Sequence, residues 1–477
     1  MDWSFWVIGF IKQYNQFVLG YLATINGIYT IILLLSFREL YLHLKRVQYG
    51  DYFKMITSSF IPPISILVPS YNEEKTIVEN VKSLIALEYG EFEVVVINDG
   101  SKDHTLQHLI DSFQLQKVDM PFKKSIETKN IRGIYLSKTI QRLVVVDKEN
   151  GGKADALNAG INICRYPLFT AIDADSILEK DSLVRVVRPF VEDPDRVVAT
   201  GGIIRIVNGS KVDRGFIEEI GLSKNGLAML QTVEYLRAFL TGRAGWNALN
   251  GLLIISGAFG VFKKNIVATV GGYTSDTIGE DMELVMKIHR YMYEQKQKYR
   301  VVFIPDPVCW TQAPENFKSL SNQRKRWHRG LMDSLISHWK MLFNPQYGRI
   351  GMLVIPYYWI FEMIGPFIEM TGYITVGLSF LFGILNLEFA ILFFIMAVLY
   401  GIFISISSIL LEEYTFRRYE KVSEYMRLIF YSIFENFGYR QLTTWWRVRS
   451  VFGYRVKKNK WGNIDRQEFR EEENKIS

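Results

Sequence analysis

Phe169-Thr170-Ala171-Ile172-Asp173-Ala174-Asp175-Ser176 runs from apolar residues straight into two carboxylates one residue apart. A buried strand that ends this way sets both acids on one turn at the rim of a sheet. Hard divalent cations such as Mg2+ and Mn2+ favour oxygen donors, and Mg2+ is commonly shared between one or two carboxylates and a substrate phosphate. The same eight residues also describe an exposed acidic turn that merely closes a strand. Their neighbours along the chain weigh between the two.

On either side of this stretch, short β-branched runs at residues 64–68, 92–97, 142–146 and 197–200 stop at turn residues, and 168–172 belongs to the same series. Helical patterns at 74–87 and 153–164 fall between them. The alternation predicts an α/β domain on a mostly parallel sheet with helices on both faces. Ligands of such sheets gather beyond the carboxyl ends of the strands, where the polar residues of this chain fall. Asn72-Glu73-Glu74 follows the first run and Asn98-Asp99-Gly100-Ser101 the second, and either is also ordinary turn and cap chemistry. Gly151-Gly152-Lys153 opens the helix that carries Asp155, and its free amides and ammonium suit a diphosphate. Later come Ser256-Gly257-Ala258-Phe259-Gly260 and Gly279-Glu280-Asp281. The second supplies either a favourable partner for a helix dipole or a general base. Gln323-Arg324-Lys325-Arg326-Trp327-His328-Arg329-Gly330 is basic and amphipathic, which by itself fits an interfacial anchor.

Nearly half of the 477 residues are hydrophobic and 14% are aromatic, a balance that splits the chain between a soluble domain and a membrane part. Residues 17–37 are uncharged and apolar for about 20 residues, one membrane thickness. Asp2 and the lack of a small-residue cleavage pattern argue against a removable signal. Arg38, Lys45 and Arg46 follow the stretch, which places the α/β domain in the cytoplasm. Residues 350–385 are apolar for two helices' length, broken at Gly365-Pro366, and 389–411 make another span. Residues 426–442, interrupted by Arg427, Glu435 and Arg440, are a weaker candidate, so four or five spans are expected. Glu362 and Glu369 in apolar sequence point to a protein interior or wet path, and Tyr357, Tyr358 and Trp359 to the lining of a channel or an aromatic belt. The net charge of +7 gathers beside apolar runs, which speaks for membrane flanks and against nucleic acid. Cys164 and Cys309 imply neither a disulfide framework nor a thiolate metal site. The expected plan is a membrane helix and linker (1–60), the cytoplasmic domain (61–320), interfacial helices (321–349), membrane helices (350–446) and a charged cytoplasmic tail (447–477).

Taken in order, these motifs resemble those of the family 2 glycosyltransferases. Within that family they are similar to the processive membrane synthases of cellulose, hyaluronan, chitin-like polymers and poly-N-acetylglucosamine. The likeness covers about residues 61–330, and Gln323, Arg326 and Trp327, in the QxxRW form, are its most specific part. The resemblance implies a GT-A-type α/β fold joined to an α-helical transmembrane region in the plasma membrane. It also implies a UDP-sugar donor, an elongating glycan, Mg2+ or Mn2+, and room for accessory secretion subunits. Residue by residue, it assigns Glu73 and Asp99 to the uridine, and Lys153 and Asp155 to the diphosphate and sugar. Asp173 and Asp175 match the DxD pair, with Asp175 the direct metal ligand. Asp281, beside Glu280, becomes the catalytic base, with Gly279 where cellulose synthases typically carry Thr. Gln323 and Arg326 bind the leaving diphosphate, and Trp327, with Phe259 and Gly260, the acceptor.

The resemblance divides over the product. Arg326-Trp327-His328-Arg329-Gly330 is nearer the cellulose synthases, whereas residues 435–442 with Trp445 and Trp446 are nearer the poly-N-acetylglucosamine synthases. The expected product is a β-glucan from UDP-glucose, cellulose or a mixed-linkage relative. The alternatives are poly-N-acetylglucosamine, a hyaluronan-type polymer, or a single sugar added to a lipid carrier. A catalytically silent partner in a secretion complex would be expected to lack Asp175, Asp281 or Trp327, and all three are present.

Overall fold

The computed structural model describes residues 3–49, 61–173, 176–213, 215–419 and 421–452. Asp175, the linker 50–60 and the tail from 453 onward lie outside them. The chain forms two compact units. One holds His43–Lys224 and Asn250–Ala313; the other holds Met1–Leu42, Asn225–Leu249 and Pro314–Gly462. Residues 225–249, inside the range expected for the catalytic domain, group with the helical unit.

Among the described residues the α/β unit carries twelve strands: β1 (Ile64–Ser70), β2 (Phe92–Asp99), β3 (Leu115–Val118), β4 (Ile131–Ser137), β5 (Leu143–Lys148), β6 (Leu168–Ala171), β7 (Ile177–Leu178), β8 (Val197–Ile206), β9 (Lys211–Asp213), β10 (Phe216–Glu219), β11 (Gly260–Lys263) and β12 (Arg300–Thr311). Ten of them form one sheet in the order β3-β4-β5-β2-β1-β6-β11-β8-β12-β7, while β9 and β10 make a separate hairpin. The central strands β5, β2, β1 and β6 run parallel, and β11 lies antiparallel between β6 and β8. All five runs singled out in the sequence are strands here. Their continuous Ile, Leu and Val content follows from burial on both faces, which removes the polar alternation of a half-exposed strand. Fully burying one such side chain contributes roughly 1.5–3 kcal/mol.

Register aligns the strand ends. Ser70 pairs with Asn98, and Asp99 with Lys148, so the loops after β1, β2 and β5 open on one rim, with Asp173 two residues beyond β6. The helix Lys153–Ile163 lies on β1 and β2, and Gly160 explains how closely. A Cβ there would sit 3.0 Å from Ile97 and 3.1 Å from Leu67. The amino end of this helix, with Lys153, is thereby held at the rim.

In the helical unit, three helices among the described residues are long and apolar enough to cross a membrane: Trp6–Val47, Ile350–Leu381 and Leu387–Thr415. That is fewer than the four or five expected, for two local reasons. Residues 350–381 make one run that bends at Ile364, just ahead of Pro366, whose ring removes an amide donor. The expected span 426–442 is broken by non-helical backbone at Phe437 and Gly438, between Val422–Phe434 and Arg440–Val451. Glu362 accepts hydrogen bonds from the Tyr357 hydroxyl at 3.2 Å and from Arg447 at 3.1 Å, and Glu369 accepts one from Thr444 at 3.0 Å. Arg237 pairs with Glu435. Charges in apolar helices persist where such partners meet them, and these form a polar seam inside the unit.

Candidate active site

Two charged clusters flank the step from Gly152 to Lys153. The first is closed. Asp99 Oδ1 accepts from the Gly151 amide at 3.0 Å and from Lys148 Nζ at 2.7 Å, and its Oδ2 accepts from the Gly152 amide at 2.8 Å. Asn150 donates its side-chain amide to the Asp99 carbonyl at 2.7 Å. Lys148, 0% exposed, also lies 2.5 Å from Asp155 Oδ2, and Asp155 Oδ1 accepts from the Lys129 amide at 3.0 Å. The two glycines therefore do not present free amides to a diphosphate, because Asp99 already occupies them. Asp99 and Asp155 act in this structure as anchors of the loop. Gly152 takes φ +87°, and a Cβ on Gly151 would lie 2.3 Å from Asp155 Oδ2. Glycine is needed at both positions, at one for its backbone and at the other for space.

The second cluster reaches solvent through Asp173. Lys153 Nζ lies 2.6 Å from Asp173 Oδ1 and 4.0 Å from Glu280 Oε1, and the Asp173 side chain is 34% exposed. Burial alone would push the Lys153 ammonium down. Asp173, Asp281 and Glu280 outweigh it and hold the group well above the usual lysine range. Asp281 sits in the first turn of the helix Glu280–Glu294, and its Oδ2 accepts from the Gly257 amide at 3.0 Å. A Cβ on Gly257 would come within 2.4 Å of both Asp281 oxygens, so this glycine admits the carboxylate. Tyr273 is buried beside the cluster. Burial, with Asp281, Glu280 and Asp173 adding to it, drives its phenol well above the ordinary value and keeps it neutral.

Glu73 lies in the loop after β1, which is fastened to the loop after β2. Its amide donates to the Thr105 hydroxyl at 2.9 Å, its Oε2 accepts from Thr76 at 3.1 Å, and Asn72 Oδ1 accepts from the Lys102 amide at 2.8 Å. Phe259, expected at the acceptor, is 0% exposed. Its ring occupies the space a Cβ on Gly202 would need, 2.8 Å away, so it packs the sheet and offers no face to a sugar. Gly260 begins β11. In the helical unit, Gln323, Arg326 and Trp327 stand on the helix Phe317–Ser337. Trp327, 37% exposed, lies 6.4 Å from the Tyr235 ring and 6.2 Å from Phe239, with the Arg324 guanidinium 4.4 Å from its centroid. Arg324 pairs with Glu234 at 2.9 Å, and Glu234 also accepts from Tyr439 at 2.9 Å. Sequence reasoning missed Lys148 and Tyr273, and it quoted Gly257 without giving it a role. Lys148 closes β5, whose residues are all buried.

Residues 65–243 match the family model described as glycosyl transferase family 2, and residues 168–404 match that of glycosyl transferase family group 2. The chain belongs to the family 2 glycosyltransferases. It is 31% identical over 268 residues to a poly-beta-1,6-N-acetyl-D-glucosamine synthase of Staphylococcus epidermidis, a match covering 56% of this chain and 54% of that one. It is 29% identical over 303 residues to the synthase of the same name from Staphylococcus aureus strain COL, covering 62% of each. The matched region thus spans between half and two thirds of these relatives' length. A mannosyltransferase from Pyrobaculum calidifontis, solved with GDP-Man and Mn2+, shares the fold at a TM-score of 0.50 and 18% identity, covering 86% of this chain and 99% of that one.

Proposed function

We propose that this chain is a processive, inverting synthase that moves sugar from a UDP-sugar to the growing end of a β-linked glycan. In this reading the α/β unit works in the cytoplasm and the long helices hold it in the plasma membrane. The observation that carries the reading is the cluster of Lys153, Asp173, Glu280 and Asp281 on one rim of the sheet. An ammonium held protonated suits the charge of a leaving diphosphate. Asp281, oriented by the Gly257 amide, is the base that takes the acceptor hydroxyl's proton, and Glu280 beside it adds negative field. Gln323, Arg326 and Trp327 serve the leaving group and the acceptor sugar, Glu73 the nucleoside.

Asp173 fits a hard cation as an exposed oxygen donor at the sheet's rim. Among the described residues no group of three or more ligating side chains forms, which suits an ion that takes the rest of its ligands from Asp175 and substrate phosphate. Mg2+ or Mn2+ bound there would neutralise charge on the departing diphosphate.

For the product we favour poly-N-acetylglucosamine from UDP-N-acetylglucosamine, on the names of the two staphylococcal relatives and the sequence at 435–442. A β-glucan from UDP-glucose is the second reading, supported by Arg326-Trp327-His328-Arg329-Gly330. The polar seam around Glu362, Glu369 and Arg447 supports export of the polymer through the helical unit. The test is to incubate the purified chain with each radiolabelled UDP-sugar separately and digest the product with linkage-specific hydrolases. The expected outcome is a long polymer from UDP-N-acetylglucosamine; a single glycolipid product would overturn the processive reading.

A further inference from the structure

The helix Lys153–Ile163 carries two buried asparagines one turn apart, and each closes a clamp on backbone elsewhere. Asn162 Oδ1 accepts from the Ser125 and Ile126 amides at 3.0 Å each, and its Nδ2 donates to the Ile126 carbonyl at 2.8 Å. Asn158 grips a single residue, Tyr273. Its Oδ1 accepts from the Tyr273 amide and its Nδ2 donates to the Tyr273 carbonyl, both at 2.8 Å. Gly272 alongside takes φ +69°, and a Cβ there would lie 2.4 Å from Asn158 Oδ1.

The other side of the same segment is fastened to the helix Glu280–Glu294. Lys287 donates to the Gly272 carbonyl at 3.1 Å and to the Thr274 hydroxyl at 2.6 Å, and Thr274 donates to Glu283 at 2.8 Å. Residues 272–274 therefore bridge the helix that opens with Lys153 and the helix that opens with Glu280 and Asp281. On the Lys153 side, Asn158 holds the segment at two points.

We propose that Asn158 is a positioning residue that sets where Asp281 stands relative to Lys153, a role that rests on the functions given to those two residues above. Removing its side chain leaves a buried N–H and C=O of Tyr273 without partners, and the segment shifts to satisfy them. A displacement of the reacting groups by about 1 Å costs on the order of 100-fold in rate. Asn158→Ala should therefore lower kcat by about 100-fold, with KM for the UDP-sugar and the calorimetric affinity for UDP near wild type. Asn162→Ala, which opens the equivalent clamp on Ile126, should lower Tm and leave kcat per UDP-binding site unchanged.

Asn158→Asp keeps the acceptor oxygen and loses the donor, and should fall between wild type and Asn158→Ala. It carries the test by the same criteria if Asn158→Ala does not fold. The proposal is overturned if kcat per UDP-binding site stays at the wild-type level in the Asn158 variants, or if Asn162→Ala loses kcat equally. Asp281→Asn separates this from the parent reading. Turnover retained in Asp281→Asn removes the base assignment itself, whereas an inactive Asp281→Asn beside fully active Asn158 variants removes only the role of Asn158.

Discussion

Lys148 and Lys153 stand five residues apart, each among carboxylates, and the protein uses them in opposite ways. Around Lys148, two carboxylates face one ammonium and also take three backbone amides, from Gly151, Gly152 and Lys129. Lys148, Asp99 and Asp155 are all buried there. Around Lys153, one ammonium meets Asp173, Glu280 and Asp281, and Asp173 opens to solvent. Negative charge exceeds positive there, and an arriving cation would relieve the excess. A charged cluster that is buried and answered by the backbone amides beside it holds the loop in place. One that reaches solvent, as Asp173 does, is accessible to a ligand.

The largest effect should come from the open cluster. Asp281→Asn is expected to cut polymer formation by about 1,000-fold while the protein still binds UDP, read by product radioactivity beside calorimetry. Substantial turnover in that variant would break the contrast at its functional end.

Lys148→Met should instead act on folding. It strands two buried carboxylates, and breaking a buried pair from one side destabilises by about 3–5 kcal/mol. The check is chemical denaturation of the detergent-solubilised protein. If stability survives and only the donor KM rises, the closed cluster is a ligand site after all.

A third, smaller effect concerns a buried group with no carboxylate near it. His289 Nε2 donates to the Leu252 carbonyl at 2.9 Å and Nδ1 accepts from the Tyr299 hydroxyl at 2.5 Å, the pattern of a neutral ring. Burial lowers its pKa from 6.5 to about 4. Its contribution is therefore complete above pH 6.5 and is lost as pH falls toward 4, amounting to about 2 kcal/mol by pH 5. His289→Phe should flatten that part of the stability profile; an unchanged slope between pH 6.5 and 4 would show the ring is not the cause.

Much of this was legible beforehand. Continuous β-branched runs announced the strands because burial on both faces leaves no polar alternation to confuse the pattern. The acidic, glycine and basic motifs lay at strand ends because that is where a parallel sheet exposes its loops. What local sequence did not carry were contacts between distant residues and backbone conformation. Asp99 and the Gly151-Gly152 amides looked ready for a ligand because their mutual hydrogen bonds span 52 and 53 residues. Phe259 looked available for a sugar because nothing local reveals that it covers Gly202. The broken helix at Gly438 was hidden by an apolar average that takes no account of backbone conformation.

The sequence by itself determined the family, the order of strands and helices, and which residue types meet at the rim, since these follow from periodicity and motif spacing. Only the tertiary structure decided which charges are spent on one another and which reach solvent, and which asparagine holds the segment leading to Asp281. Pairing of that kind depends on distances between residues far apart in the chain, and burial then fixes whether a charge is satisfied inside the protein or left for a ligand.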